Sequence, residues 1–147
     1  MYLVSACLAG IPCRYDGKSC LHPAIAELVP QGKAVPVCPE QLGGLSTPRP
    51  CSEITVLENG NAKVMSIDGK DFTKAFIDGA EKVLQIAKEN GIQKAILKSK
   101  SPSCGCGCIY DGTFTGKIME GSGITAQLLL ANGIEVLTEM DINKHGI

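Results

Sequence analysis

The chain has no tryptophan, three tyrosines, three phenylalanines and two histidines in 147 residues. The histidines, His22 and His145, fall at a helix start and in a tail, and read as surface or cap residues rather than metal ligands. No apolar run approaches the roughly 18 residues of a membrane span, so no membrane partner is expected. Charge of one sign is also lacking. Fourteen Lys and Arg face 15 Asp and Glu, for a net charge of -1, and the lysines are scattered. That balance argues against nucleic acid or an anionic surface as an electrostatically bound partner and leaves a small neutral or anionic ligand. There is no Cys-x2-Cys knuckle and no compact ferredoxin run, which disfavours a local structural zinc clip or a ferredoxin-type site. Val4-Ser5-Ala6-Cys7 superficially resembles a lipoprotein cleavage box, but no Lys or Arg precedes it and the apolar stretch is short. It reads as a strand start, and the expected location is the reducing cytoplasm.

What the chain does have is glycine and cysteine, 17 and eight of them. The glycines indicate tight turns and close backbone approaches. The cysteines are not needed for stability, because a domain of this length buries an adequate core without staples. In a reducing compartment, clustered cysteines more often bind metal or do chemistry.

Short apolar runs at Tyr2 to Ala6, Ala34 to Val37, Lys94 to Leu97 and Ile134 to Thr138 read as strands. Pro23 to Val29 reads as a short helix with proline at an early position. Phe72, Phe76, Ala80, Val83 and Ala87 recur at helical spacing, after Asp71 or Thr73 as cap and before Asn90-Gly91 as stop. Ile124 to Ala131 reads as a buried helix stopped at Asn132-Gly133. Ile54 to Leu57 and Ala62 to Met65 flank Asn59-Gly60, a hairpin signal. Alternating strands and helices with short links predict a single domain, 1–147, of the α/β class: three-layer and doubly wound, with a mainly parallel, Rossmann-like or flavodoxin-like sheet and a small β-hairpin insertion.

Lys98 to Phe114 shows no periodicity and carries Ser101-Pro102, Gly105 and Gly107, so it reads as a loop of roughly 15 residues. Such a loop needs something to hold it, and thiolates on a metal centre are the first candidate. Cys7 ends the first strand, Cys38 the second, and Cys104 lies in the loop after the third. In open parallel sheets ligands bind beyond the carboxyl ends of the strands, so topology alone brings these three thiols to one edge. Three ligands spread across the fold suit an active-site centre, and a four-iron cluster with three thiolates keeps one iron open. Cys106 and Cys108, at i+2 and i+4 from Cys104, could reach the same centre or a second metal if the run is extended. Cys13, Cys20 and Cys51 read as ordinary loop cysteines. Glu40, two residues after Cys38, is a plausible proton donor or acceptor. Ser101 and Ser103 could hydrogen-bond substrate or simply the turn. Gly121-Ser122-Gly123 could cradle an anion on helix-start amides.

Ser5-Ala6-Cys7-Leu8 with Arg14-Tyr15-Asp16-Gly17, Cys38-Pro39-Glu40 with Gly43-Gly44-Leu45 and Pro48-Arg49-Pro50, and Ser101-Pro102-Ser103-Cys104-Gly105 with Tyr110-Asp111-Gly112 together resemble the thiouracil desulfidases (TudS), formerly a bacterial domain of unknown function. The resemblance covers nearly the whole chain. It implies a [4Fe-4S] cluster held by Cys7, Cys38 and Cys104, whose open iron takes the sulfur of a thionated heterocycle such as thiouracil and releases it without net redox change. It further implies Glu40 as the acid/base and Ser101 as an orienting group; the acceptor of the sulfide stays open. Cys106 and Cys108 are not part of that family pattern. The competing expectation is a metal or iron-sulfur binding module for storage, sensing or sulfur transfer, with the Cys-Gly-Cys-Gly-Cys run as its working part.

Overall fold

A computed structural model describes residues 1–56 and 59–142. His145, and Leu57 of the hairpin, lie outside the described residues. Four parallel strands form the central sheet: β1 (Tyr2–Ser5), β2 (Ala34–Val37), β5 (Lys94–Leu97) and β8 (Glu135–Thr138), in the order β2-β1-β5-β8. β1 takes β2 on one side and β5 on the other, with Val4 level with both Pro36 and Ile96. Pro36 is tolerated because β2 is an edge strand, where a missing N–H need not leave a ladder partner unbonded.

Alternation along the strands divides the core. Leu3, Ala95, Leu97 and Val136 face the helices α3 (Thr73–Glu89) and α4 (Ile124–Ala131), meeting Val83, Ala87, Ala126 and Leu129. Val4, Ile96 and Ala34 pack with Leu8 and with Ile25 of α1 (Pro23–Ala26). Leu3, Ile96, Leu97 and Leu129 are fully buried, each contributing about 2 kcal/mol by area removed from water. The helical spacing read from the sequence is the buried face of α3, which comprises Phe76, Gly79, Ala80, Val83 and Ala87. The helix stops where expected: Gly91 turns to φ +63° and the Ile92 N–H closes on Ala87 O at 2.9 Å.

Two antiparallel pairs stand apart from the sheet. β3 (Ser52–Val56) pairs with β4 (Ala62–Ser66), as the Asn59-Gly60 signal suggested. The second was not foreseen. Within the stretch read as one long loop, β6 (Cys108–Tyr110) pairs with β7 (Ile118–Glu120), so the irregular part ends at Gly107. Three-residue strands lie below what periodicity can detect. A short helix, α2 (Pro39–Leu42), was also unforeseen and follows β2 directly. No helix among the described residues is long and apolar enough to cross a membrane.

Candidate active site

Beyond the carboxyl ends of β1, β2 and β5 the chain makes three different departures, each carrying a cysteine. After Ser5 the backbone tightens into a 3-10 turn, Ala6–Ala9, which Gly10 closes at φ +92°. Cys7 lies inside it and is 7 % exposed. Cys38 occupies the position before α2, with Pro39 as the first helical residue. That helix sits directly on α3. A Cβ on Gly43 would lie 2.0 Å from Ala75 O, and one on Gly79 would lie 1.9 Å from Pro39 O. Only two glycines allow this approach, and it fixes Cys38 and Glu40 relative to the core.

Cys104 is held by α4. The N–H groups of Gly123, Ile124 and Thr125 donate to the carbonyls of Gly105, Pro102 and Ser103 at 2.7, 2.9 and 2.9 Å. Ser103 Oγ and Thr125 Oγ1, both fully buried, hydrogen-bond at 2.8 Å. These amides are therefore engaged by the cysteine loop itself, which corrects the reading of Gly121-Ser122-Gly123 as an anion cradle. The helix start thus restrains the loop through its backbone.

The three departures enclose one cavity of about 370 Å³, and Cys7, Cys38, Cys104, Glu40 and Ser101 all line it. Cys13 and Cys51, read as ordinary loop cysteines, line it as well. Their sequence surroundings carry no signal of this; only the folding of the 10–20 and 46–51 segments over the sheet edge brings them there. Cys106 and Cys108 do not border the cavity. The 104–108 run is not extended: Gly107 sits at φ +86°, and Cys106 packs under the α3–α4 face with its Sγ 3.8 Å from Val136 O. Cys20 accepts a hydrogen bond from Arg14 Nη1 at 3.2 Å, outside the cavity lining. His22 stands at the N-cap position of α1 but makes no side-chain cap bond, and its Nδ1 is buried without a partner among the described residues.

Arg49 is the residue whose role the sequence did not reveal. It is 8 % exposed and lines the cavity beside Glu40. Its Nε donates to Glu40 Oε1 at 3.3 Å, Nη1 to Ser46 O and Thr47 Oγ1 at 3.1 and 2.9 Å, and Nη2 to Cys13 O at 2.9 Å. One guanidinium thus ties the carboxylate, the loop after α2 and the Cys13 segment together. Ser101 Oγ accepts the N–H groups of Ser103 and Cys104, each at 3.1 Å, which shapes the turn and leaves its own proton to donate.

Burial pushes the Cys104 thiol up to about 12 against lowering hydrogen bonds from Ser5 and Ser103. Cys38 is raised by its hydrogen bond with Cys13 and by burial. At Cys13 the bond with Cys38 lowers the value, but the bond with Cys7 and burial outweigh it, leaving about 11. These are neutral thiols that metal coordination would deprotonate. No group of three His, Cys, Asp or Glu among the described residues is placed to hold a single ion. A polynuclear cluster asks for something else. Each thiolate of such a cluster binds a different iron, so its donors stand around a larger space; Cys7, Cys38 and Cys104 reach this cavity from three separate segments.

The parallel sheet thus carries a thiol-lined cavity with a carboxylate at its strand ends, where α/β enzymes of this architecture bind their ligands. The chain belongs to the 2-thiouracil desulfurase family, whose model matches residues 2–141. It is 49 % identical over 149 residues to the uncharacterised protein YbbK of Bacillus subtilis (strain 168), covering 97 % of this chain and 98 % of that one. Among solved structures it is similar to a [4Fe-4S]-dependent thiouracil desulfidase, TudS, with a TM-score of 0.85 and 43 % identity. That match covers 95 % of this chain and 90 % of the other.

Proposed function

We propose that the protein removes sulfur from a thionated nucleobase of the thiouracil type, giving the oxo base and sulfide without net redox change, and that Cys7, Cys38 and Cys104 hold a [4Fe-4S] cluster for this reaction. The observation that carries the reading is the meeting of those three thiols with Glu40 and Ser101 on one cavity wall. Family membership and the TudS likeness support it. Bound by three thiolates, the cluster supplies an open, Lewis-acidic iron to which a sulfur atom can bind.

The chain's own residues supply the rest. Glu40 takes a proton from the attacking water and returns one to the ring; Arg49 holds Oε1, which leaves Oε2 for that proton. Ser101, its oxygen occupied by two backbone amides, offers its hydroxyl proton to the substrate or the water. Partial burial of the cavity excludes bulk water and strengthens both contacts. We also read the whole chain as one domain, doubly wound in three layers, with β3–β4 as an insertion.

The test is anaerobic purification followed by iron, acid-labile sulfide and zinc analysis, with loss of 2-thiouracil absorbance as the assay. About four irons and four sulfides per chain are expected in the wild type and a loss of both in Cys38→Ser. In Glu40→Gln the cluster is expected to persist while turnover falls roughly 100-fold, the usual scale of a lost general acid or base. Zinc in place of iron, with no base consumed, would leave a metal-binding module instead.

A further inference from the structure

The turn between β6 and β7 carries a residue in a conformation that its side chain disfavours. Phe114 has φ +57°, flanked by Gly112 at +90° and Gly116 at +82°. Glycine adopts such angles freely, whereas a bulky L residue there is an outlier that persists only when its surroundings impose it. Core packing does not account for the phenylalanine, since Phe114 joins none of the three apolar clusters formed by the described residues.

What imposes the conformation is a carboxylate from another element. Glu53 of β3 is 9 % exposed, and its Oε1 accepts the N–H groups of Gly112 at 3.0 Å and Phe114 at 3.2 Å. The turn is pressed against β3 so closely that a Cβ on Gly112 would lie 2.7 Å from Ile54 O. Its base is closed by the Asp111 N–H on Lys117 O at 3.0 Å. The outcome of this bracing is that Phe114 lines the cavity that holds Cys7, Cys38, Cys104 and Glu40. An aromatic ring kept out of the core, against local backbone preference, on the wall of a site for flat rings has one evident use.

We propose that Phe114 is the stacking wall of the site. Its ring face packs on the planar heterocycle and thereby selects thionated aromatic rings over open-chain thioamides. Glu53 is its positioning residue, acting through the two backbone amides. The proposal rests on the desulfidase reading above.

The experiment uses the cluster-loaded protein as wild type, Phe114→Leu, Phe114→Tyr, Glu53→Ala and Glu53→Gln. It compares kcat and KM for 2-thiouracil and thioacetamide, iron per chain, and calorimetric binding of 2-thiouracil. Phe114→Leu is expected to keep its iron and to raise both KM and Kd for 2-thiouracil roughly tenfold, the scale of one lost base–aromatic stack. Its preference for the ring over thioacetamide falls by the same factor, while kcat changes little. Phe114→Tyr restores most of the loss. Glu53→Ala behaves like Phe114→Leu, and Glu53→Gln, which retains an acceptor oxygen, recovers much of it. An unchanged preference and Kd in iron-replete Phe114→Leu would overturn the proposal, as would loss of iron in that variant. If the wild type binds 2-thiouracil but turns over neither compound, the desulfidase reading fails while the Kd comparison still judges Phe114. If it binds none, both fall.

Discussion

Arg49 shows how much of this site depends on one side chain. Its fork makes bonds to Glu40, Ser46, Thr47 and Cys13 at once, and a lysine, with one compact charge, cannot span them. Arg49→Ala is expected to cost about 3 kcal/mol in urea unfolding, because it strands a partly buried carboxylate. Arg49→Lys should recover only part of that stability, and turnover should fall in both even after full cluster loading. Nothing in Pro48-Arg49-Pro50 announces the role. The partner carboxylate is nine residues away, and only the path of the loop after α2 brings them together. Glu40 itself was legible because it sits beside a cysteine at a strand end. Cys13 and Cys51 were not, because loop cysteines look alike until the fold shows which of them face the cavity.

At the scale of elements, the meeting of α2 with α3 is the joint that sets Cys38. Gly79 lies inside a 17-residue helix, where alanine would ordinarily be favoured by about 1 kcal/mol. Here the added methyl would stand 1.9 Å from Pro39 O, a backbone atom that cannot swing aside. Gly79→Ala is therefore expected to destabilise by about 2 kcal/mol net, the usual scale of overpacking, and, on the proposed ligand set, to lower iron retention because α2 fixes the position of Cys38 just before it. Thermal melts with iron analysis check both. The four central strands and α3 could be read from the sequence because apolar runs of four and a long helical repeat carry strong patterns. α2, β6 and β7 could not be, since four residues make barely one turn of a helix and three make fewer than two periods of a strand. The cysteine loop was rightly expected to be held in place, with thiolates on a metal centre as the first candidate; the amides of α4, which no short motif announced, hold it as well.

Across the molecule, the outer strand β8 is tied to the site edge by charge. Lys98 Nζ lies 2.9 Å from Glu139 Oε2, and Ser99 gives Glu139 its N–H at 2.7 Å and its hydroxyl at 3.1 Å. Burial alone would raise the Glu139 carboxyl, but the bonds from Lys98 and Ser99 outweigh it and leave it below its ordinary 4.5. A carboxyl lowered in the folded state contributes its full stability above that ordinary value and loses it as pH falls through the lowered one. Glu139→Gln should thus be less stable than wild type at pH 7 by about 2 kcal/mol, the range of hydrogen bonds to a charged group. The gap should close in acid, as chemical denaturation across that range would record.

The β6–β7 hairpin has a different relation to the whole. Its two ends are clipped together, Gly121 N–H to Gly107 O and Gly107 N–H to Ser122 Oγ at 3.2 Å each, while the adjoining Gly123 amide fastens Cys104's loop. Within this hairpin Ile109 belongs to the core and bridges Lys100 beside the cysteine loop, whereas the turn from 111 to 117 lies beyond the clip that fastens Cys104. The clip thus anchors the loop that bears Cys104 apart from the turn that carries Phe114 to the cavity wall. On the stacking proposal, a change of ring preference would be written in that turn, on a support separate from the one that fixes Cys104.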